Sequence, residues 1–170
     1  MNRFFIEDYE RANRENFSLC RFIIRYFKHH YIRFLFWGRL NSNSSIKMIK
    51  IISRIMQNSY KNKYGLEINF ENVGGGIRLI HPWCITVNSN AILGNNVTLY
   101  KGCTIGEITT GNKRGNPIIE DNVTVYANAT ICGGIRVGQN SEIAAGSFVN
   151  FDVPSNSVVI GNPGVIHCRI

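Results

Sequence analysis

Apolar residues recur at every sixth position through the second half of this 170-residue chain. The members of this series are Leu93, Leu99, Ile105, Ile119, Val125, Ile131, Val137, Ile143 and Val149, with one interruption between Ile105 and Ile119. A period of six matches neither the 3.6-residue period of a helix nor the two-residue alternation of a half-buried strand. It predicts a solenoid in which each hexapeptide forms one short strand and a turn, and three hexapeptides form a triangular coil.

The residues between the aliphatic positions support this prediction. Small or modest side chains occur four residues after the aliphatic ones, at Val97, Cys103, Val123, Ala129, Ile135, Ser141 and Ser147. Gly, Asn and Asp fill much of the remaining sequence, as in "LGNNVT" and "IEDNVT", and they adopt turn conformations that bulkier residues avoid. We therefore interpret Cys103 and Cys132 as packing residues of the coil rather than as reactive thiols.

The first 65 residues differ from the rest in charge and in period. They carry 13 Lys/Arg and 4 Asp/Glu, a net charge of +9, whereas residues 66–170 carry 6 and 7, a net charge of −1. The spacing of apolar residues predicts one helix within residues 18–40 and a second over residues 46–60. Each helix has a basic face, and either these faces point at water or they contact an anionic membrane surface. The basic residues are Arg21, Arg25 and Lys28 in the first helix and Lys47, Lys50 and Arg54 in the second.

Several kinds of site are not expected from the sequence. The five cysteines show no C-x-x-C spacing, which argues against a disulfide framework or a zinc site and favours a reducing cytoplasm. No metal site is predicted, because His29, His30 and His167 lack further ligands at metal-site spacing. Five Lys or Arg interrupt residues 19–40, so a membrane-spanning helix is not expected, and the N-terminal residues do not fit a signal peptide. No nucleic-acid recognition motif accompanies the positive charge.

The residues "KYGLEINFENVGGGIRLIHPWCITVNSNAILGNNVTLYKGCTIG" and the ending "AAGSFVNFDVPSNSVVIGNPGVI" resemble the left-handed parallel β-helix acyltransferases. Within that superfamily the chain is similar to serine acetyltransferase and its relatives, which include O-acetyltransferases of capsule and lipopolysaccharide assembly. The resemblance implies an N-terminal helical region over residues 1–65 and a left-handed β-helix over residues 66–170, with a loop at 106–118. It also implies acetyl-CoA as co-substrate, no tightly bound cofactor, and a homotrimer.

The stretch "IRLIHPWCITV" contains the first candidate catalytic residue. Extending the aliphatic series backward gives Val73 and Leu79, and then the spacing stretches from six to eight before Val87. Two extra residues bulge the turn, so that His81 can point out of the coil. The resemblance implies that His81 is the general base that removes the proton of an acceptor hydroxyl, and imidazole chemistry suits that task at neutral pH. The alternative is a turn histidine without a catalytic role.

The resemblance places Glu67 where the family carries an acidic partner for the histidine, across a one-residue deletion in "INFENV". Such a carboxylate would hold the imidazole tautomer and stabilise the imidazolium. The alternative is a solvated carboxylate at the start of a strand. Trp83 stands where relatives often have glycine, and it either lines the acceptor pocket or covers an apolar edge. The mechanism of the family gives no nucleophilic role to the position of Cys84.

The insertion "GEITTGNKRGNPI" interrupts the six-residue register and must leave the coil as a loop. In the relatives this loop reaches the active site between neighbouring subunits. We expect Lys113 to meet CoA phosphates and Arg114 and Asn116 to contact the acceptor, although both cations also suit a plain solvated loop. The resemblance further implies that the "AGS" and "GNP" segments bind the pantetheine of CoA, through Ala145, Gly146, Gly161 and Asn162.

For the acceptor, the sequence favours a saccharide hydroxyl of a capsule, lipopolysaccharide or exopolysaccharide. The helical region is shorter than that of serine acetyltransferases, and their Arg-His pair before the loop proline is not intact, because Arg114 is followed by Gly115 and Asn116. The basic helices also suit work on membrane-linked precursors, in the cytoplasm or at the inner face of the membrane. One alternative is serine O-acetylation in cysteine biosynthesis. Serine acetyltransferases use a terminal isoleucine to dock into cysteine synthase, and Ile170 would suit that docking. The other is a non-catalytic β-helix scaffold.

Overall fold

A computed structural model describes residues 2–168, in which four helices precede a three-sided parallel β-helix. Ile170 lies outside the described residues. The helices are α1 (Arg3–Asn13), α2 (Leu19–Lys28), α3 (His30–Asn43) and α4 (Lys47–Tyr64), and a 3₁₀ turn follows at Phe70–Asn72. The strands are β1 (Arg78–Ile80), β2 (Thr86–Val87), β3 (Ile92–Leu93), β4 (Thr98–Tyr100), β5 (Thr104–Gly106), β6 (Ile118–Ile119), β7 (Thr124–Val125), β8 (Thr130–Cys132), β9 (Arg136–Val137), β10 (Glu142–Ile143), β11 (Phe148–Val149), β12 (Ser157–Ile160) and β13 (Val165–Cys168).

The strands form three sheets, one for each side of the coil. Their orders are β1-β4-β7-β10-β12-β13, β11-β8-β5-β2 and β3-β6-β9, and all pairs are parallel except the closing β12–β13 pair. Val87 pairs with Ile105 and Ile131 with Val149, in each case 18 residues later, which is three hexapeptides. The predicted coil is therefore confirmed. Every aliphatic position of the predicted series is buried, as are the smaller residues four positions later.

Asparagine side chains stabilise the corners of the coil. Asn122, Asn128, Asn140 and Asn156 adopt left-handed φ values of about 60°, a conformation that asparagine tolerates better than most residues. The Nδ2 atom of Asn122 donates to Oδ1 of Asn140 at 3.1 Å, and Nδ2 of Asn140 donates to Oδ1 of Asn156 at 3.0 Å. The Asn-rich hexapeptides thus provide both the turn conformation and a ladder between coils.

The helical region differs from its prediction in three ways. Helix α1 was not predicted, and the expected helix over residues 18–40 is divided at His29, whose φ of −117° and ψ of 118° are extended. Arg33 stabilises this break, because its Nη1 donates to the carbonyl oxygens of Tyr26 and Phe27, both at 2.9 Å. The third difference concerns the apolar residues whose spacing predicted this helix, Leu19, Ile23, Phe27, Ile32 and Leu35. The first three are exposed and the last two are buried, while Phe22 and Tyr26 of α2 pack inward. None of the described helices is both long enough and apolar enough to cross a membrane.

A buried ion pair joins the helices to the first coil. Arg39 of α3 donates from Nε to Asp8 Oδ2 at 2.8 Å and from Nη2 to Asp8 Oδ1 at 3.1 Å. The same guanidinium donates to the carbonyl oxygens of Val73 at 2.7 Å and Gly74 at 2.6 Å, and the Ile77 amide donates to Asp8 Oδ1 at 2.9 Å. Burial raises the pKa of the Asp8 carboxyl, and the hydrogen bond from Arg39 opposes that rise. The helices end at Tyr64, but the predicted division into two domains at residue 65 stays a prediction, because this buried network crosses it.

We predict that Asp8→Asn lowers the free energy of unfolding by about 3–5 kcal/mol, because it leaves the buried Arg39 guanidinium without its counter-charge. Urea denaturation followed by circular dichroism measures the loss. Arg3→Ala is the matched control, since it removes an exposed ion pair with Glu7 on the same helix and should cost less than about 1 kcal/mol. Equal losses in the two variants would contradict a special role for the buried pair.

Candidate functional site

The turn that contains His81 departs from the regular coil as predicted. Leu79 pairs with Leu99, 20 residues later, so this coil has two residues more than the regular 18. The extra residues lie in the corner between β1 and β2, where His81 and Cys84 have φ values of 50° and 51°. Non-glycine residues seldom adopt this region. His81 is exposed, and no hydrogen bond within residues 2–168 engages its ring, which leaves the imidazole available to a substrate.

Backbone hydrogen bonds hold this turn in place on both sides. The Lys101 amide donates to the carbonyl of Ile80 at 3.1 Å, and the Gly102 amide donates to the carbonyl of Trp83 at 2.9 Å. On the opposite side the Cys84 amide donates to the carbonyl of Tyr64, the last residue of α4, at 2.9 Å. The turn is therefore fixed by the next coil and by a helix, and His81 projects from a rigid support.

Aromatic side chains from the helices pack beside the turn. The His30 ring of α3 stacks on Tyr64 with centroids 4.3 Å apart, and Trp83 lies 5.0 Å from Tyr64 and 5.8 Å from His30. His30 Nε2 is 3.4 Å from the Pro82 carbonyl oxygen. A carbonyl only accepts, so Nε2 carries the hydrogen, and burial lowers the pKa of His30. Trp83 is 49% exposed, and its predicted place in the acceptor pocket stays a prediction.

Glu67 lies on the outer surface of the coil, one level below Thr86, with which it forms a parallel bridge. Its Oε1 accepts a hydrogen bond from Lys61 Nζ at 2.7 Å. No hydrogen bond joins Glu67 to His81 in the described part of the chain, so the structure brings Glu67 to a lysine of α4 instead. Its predicted role as partner of His81 stays a prediction.

Glu67 and Lys61 also line a cleft of about 460 Å³ between the helices and the coil. Polar side chains line this cleft on both sides together with apolar ones, and the uncharged polar residues are Asn41, Gln57, Asn58, Asn69, Thr86, Asn88 and Ser89. Asn41 Oδ1 is buried and has no hydrogen-bond partner among the described residues. Sequence reasoning missed the cleft, because its walls come from segments that are distant in sequence and carry no motif.

The loop at 106–118 folds back on itself and rests on the coil. Ile108 and Gly115 form an antiparallel bridge with hydrogen bonds of 3.1 and 2.8 Å. The loop crosses Gly133 and Gly134, where an added Cβ would lie 2.7 Å from the Lys113 carbonyl oxygen or 2.6 Å from that of Arg114. Only glycine permits so close an approach. The loop backbone is thus anchored while the side chains of Lys113 and Arg114 are exposed.

The three predicted ligand-binding residues of this loop differ in burial. Lys113 and Arg114 extend into solvent, whereas Asn116 is half-buried and its Oδ1 has no partner within residues 2–168. Their predicted contacts with CoA and with the acceptor stay predictions. The anchoring glycines were not singled out in the sequence, because the pair in "CGGI" occupies turn positions between Ile131 and Val137 and leaves the six-residue series intact.

The predicted pantetheine-binding segments lie together at one corner of the coil. The Gly161 amide donates to Ser147 Oγ at 3.0 Å, and the Phe148 amide donates to the Gly161 carbonyl at 3.0 Å. Ala145 and Gly146 are exposed at the tip of their turn, as is Asn162 at the tip of the next. The structure brings these residues together, and CoA binding by them stays a prediction.

The His81 turn and the Gly146 turn lie on the same edge of the solenoid. Backbone hydrogen bonds connect successive corners along this edge: Gly102 N to Trp83 O at 2.9 Å, Asn128 N to Lys101 O at 3.0 Å, and Gly146 N to Ala127 O at 2.9 Å. Three steps at the usual strand spacing separate the two turns by roughly 14 Å. One continuous edge therefore carries the candidate base at one end and the candidate pantetheine site at the other.

The cysteines differ in burial. Cys103 is fully buried, and burial raises the pKa of its thiol to about 12. Burial also raises the pKa of Cys132. Neither thiol is activated, in agreement with the packing role inferred from the repeat. Cys84 is exposed beside His81. Among residues 2–168, no three His, Cys, Asp or Glu side chains are grouped so as to hold a metal ion.

Comparisons with known proteins agree with this architecture. Residues 116–150 match the family described as bacterial transferase hexapeptide (six repeats). The serine acetyltransferase of Synechococcus elongatus is 33% identical over 122 residues, which cover 71% of this chain and 50% of that protein. The serine acetyltransferase of Staphylococcus xylosus is 34% identical over 134 residues, 76% of this chain and 61% of that protein. The chain thus spans about half the length of the curated relatives it matches.

Solved structures extend the match to nearly the whole chain. The serine acetyltransferase of Neisseria gonorrhoeae, solved in complex with serine, has a TM-score of 0.77 and 28% identity, and the match covers 97% of this chain and 68% of that chain. These neighbours are left-handed β-helix proteins, so the predicted left-handed coil is confirmed.

The comparisons correct the predicted acceptor. The similar proteins are consistently serine acetyltransferases, so the prediction of a polysaccharide acceptor is wrong and the serine alternative has the better support. That prediction rested on the length and charge of the helical region and on one displaced residue pair in the loop, and not on the coil. In its repeat and its fold the chain is a hexapeptide-repeat left-handed β-helix, and in sequence it is similar to serine acetyltransferases.

Proposed function

We propose that the chain is an acetyl-CoA-dependent O-acetyltransferase whose acceptor is L-serine. The observation that carries this proposal is the exposed His81, raised on a stretched turn at the edge that also carries the exposed Ala145–Gly146 turn. The acceptor follows from the relatives, which are named serine acetyltransferases, one of them solved with serine bound.

The edge between the two turns suits an extended thioester donor. The Gly146 and Gly161 amides already donate within the coil, so the polar groups of pantetheine would bind other backbone groups of the exposed Ala145–Gly146 and Asn162 turns, and the arm can then run along the corners toward His81. A site on stacked backbone corners is rigid, because each corner is hydrogen-bonded to the next. Positioning the thioester beside the base then supplies much of the rate enhancement.

The reaction needs only one proton acceptor at the His81 position. The imidazole takes the proton of the serine hydroxyl as the oxygen attacks the thioester carbonyl, and a tetrahedral intermediate forms. The C–S bond then breaks, the CoA thiolate takes the proton from the imidazolium, and O-acetylserine and CoA leave. No group of the protein is acylated, so the exposed Cys84 beside the base has no part in the transfer.

We further propose that Glu67 assists His81 once a ligand occupies the site. In this structure its carboxylate is bound to Lys61, an exposed pair whose interaction is weak and easily exchanged. A carboxylate about half exposed at the cleft can change partner at small cost.

We also propose that the protein is a homotrimer in the cytoplasm. The trimer is supported by the family resemblance and by the anchored loop at 106–118, whose exposed Lys113 and Arg114 are available to a neighbouring subunit or to CoA.

We predict that His81→Ala lowers kcat by about 10²–10⁴-fold, the usual contribution of a general base. Thiol release from acetyl-CoA in the presence of L-serine measures the rate. Cys84→Ser is the matched control from the same turn, and it should retain activity because no acyl-cysteine forms. Loss of activity in Cys84→Ser with activity retained in His81→Ala would overturn the mechanism, and turnover with oligosaccharides but not with L-serine would overturn the acceptor.

We predict that Glu67→Gln lowers kcat by up to about 10²-fold, a part of the general-base contribution, with little change in KM. Lys61→Met, which removes the other member of the observed ion pair, should leave kcat near that of the wild type. Steady-state kinetics with L-serine as variable substrate distinguishes the two. If both substitutions have the same small effect, Glu67 is only a surface ion-pair residue.

We predict that CoA stabilises the protein by about 2.7 kcal/mol at roughly 100 times its dissociation constant. A thermal-shift titration measures this stabilisation independently of turnover. A non-catalytic scaffold would show no shift, and that result together with the absence of thiol release would refute the enzyme assignment.

A further inference from the structure

Two of the helices carry apolar stripes that face solvent. On α2 the exposed residues are Leu19, Ile23, Ile24 and Phe27, and on α4 they are Met48, Ile51, Ile52 and Ile55, preceded by Ile46. The exposure is large, reaching 75% for Phe27 and 70% for Met48. We call these residues the α2 stripe and the α4 stripe. Contiguous exposed apolar residues of this kind mark interaction surfaces in soluble proteins.

The stripes are distinct from the faces that pack against the protein. At 3.6 residues per turn, the α2 stripe occupies a sector of about 140° and the α4 stripe a sector of about 100°. The inward faces use other residues, Phe22 and Tyr26 on α2 and Ser53 and Tyr60 on α4. Each helix therefore packs inward through residues outside its stripe, and the stripe residues are exposed in the single chain.

Cations border both stripes, and acidic residues are absent from this part of the sequence. Residues 16–66 contain ten Lys or Arg and no Asp or Glu. Arg21 and Arg25 share Glu15 at 2.9 and 3.0 Å. Within residues 2–168 the other bordering cations have no ion pair with a carboxylate, and these are Lys28 on α2 and Lys47, Lys50 and Arg54 on α4. An apolar stripe beside cations that have no ion pair is complementary to a surface with an anionic outer layer and an apolar interior.

We propose that the α2 and α4 stripes dock the protein on an anionic lipid bilayer. A helix that bears a stripe then lies in the headgroup region, its apolar side chains enter the acyl boundary, and its bordering Lys and Arg meet lipid phosphates. A second copy that pairs these faces with themselves is the less suitable occupant, because it would place two cationic borders together without a carboxylate from this segment between them. A contact between a stripe and a different face of a second copy is the alternative that the experiment separates. The proposal concerns location and stands independently of the proposed acetyl transfer.

Vesicle flotation tests the proposal with two pairs of substitutions. The full chain is mixed with vesicles of equal parts phosphatidylglycerol and phosphatidylcholine, and in parallel with pure phosphatidylcholine vesicles. We expect binding to the anionic vesicles only, weakened by added NaCl. Ile23→Asn/Phe27→Asn and Ile51→Asn/Ile55→Asn should each weaken binding by about tenfold or more, since each removes two inserted side chains. Ile92→Asn is the matched control, because Ile92 is a 48% exposed isoleucine on β3 of the coil.

Several results would overturn the proposal. These are absence of binding to the anionic vesicles at low salt, equal binding to both kinds of vesicle, or wild-type binding by both double variants. Light scattering without lipid measures the size of the assembly and tests the alternative of a protein interface. If the stripe substitutions yield smaller particles than the wild type and Ile92→Asn does not, a second copy covers the stripes and the lipid proposal is wrong. Circular dichroism checks that all variants are folded, as expected for substitutions at exposed positions.

Discussion

Stacked aliphatic side chains fill the interior of the β-helix and leave no room there for additional residues. Leu99, Val125 and Ile143 follow one another in register and are fully buried, so an insertion can only leave the coil at a corner. Residues 2–168 contain two such insertions, the two-residue bulge at His81 and the loop at 106–118. Both produce exposed side chains on a rigid support. The packing constraint that makes the fold regular also decides where a functional group can project from it.

The helices depend on the same coil and in turn stabilise its beginning. The first coil lacks a preceding coil to cover it, and α1 and α3 supply the cover. The buried Asp8–Arg39 pair binds the Val73 and Gly74 carbonyls, and Arg11 of α1 donates to the Gly76 carbonyl at 2.6 Å. These carbonyls would otherwise be buried without partners, at a cost of about 1–3 kcal/mol each. Strand β1 connects this junction to the His81 turn, which the next coil and Tyr64 of α4 hold in place.

The sequence predicts most of the coil and little of its surroundings. A hexapeptide is a local pattern, and Val137 or Ile143 can be assigned from its spacing alone. The contacts of His30 with Pro82, or of Lys61 with Glu67, join separate segments without a motif, and no spacing rule predicts them. The helices illustrate the same limit. Their apolar spacing was visible, but whether a given apolar sector faces the protein or the solvent depends on tertiary contacts that periodicity does not contain.

Helix α4 shows how one helix can serve the site and a surface at once. Its C-terminal end contributes Tyr64, whose ring stacks on His30 and whose carbonyl accepts a hydrogen bond from the Cys84 amide of the His81 turn. Its N-terminal half presents Ile51 and Ile55 to solvent, in a different sector of the helix. No residue belongs to both groups. The outward sector can therefore acquire a surface-binding character while the inward contacts that hold His81 are kept, and substitutions can separate the two roles experimentally.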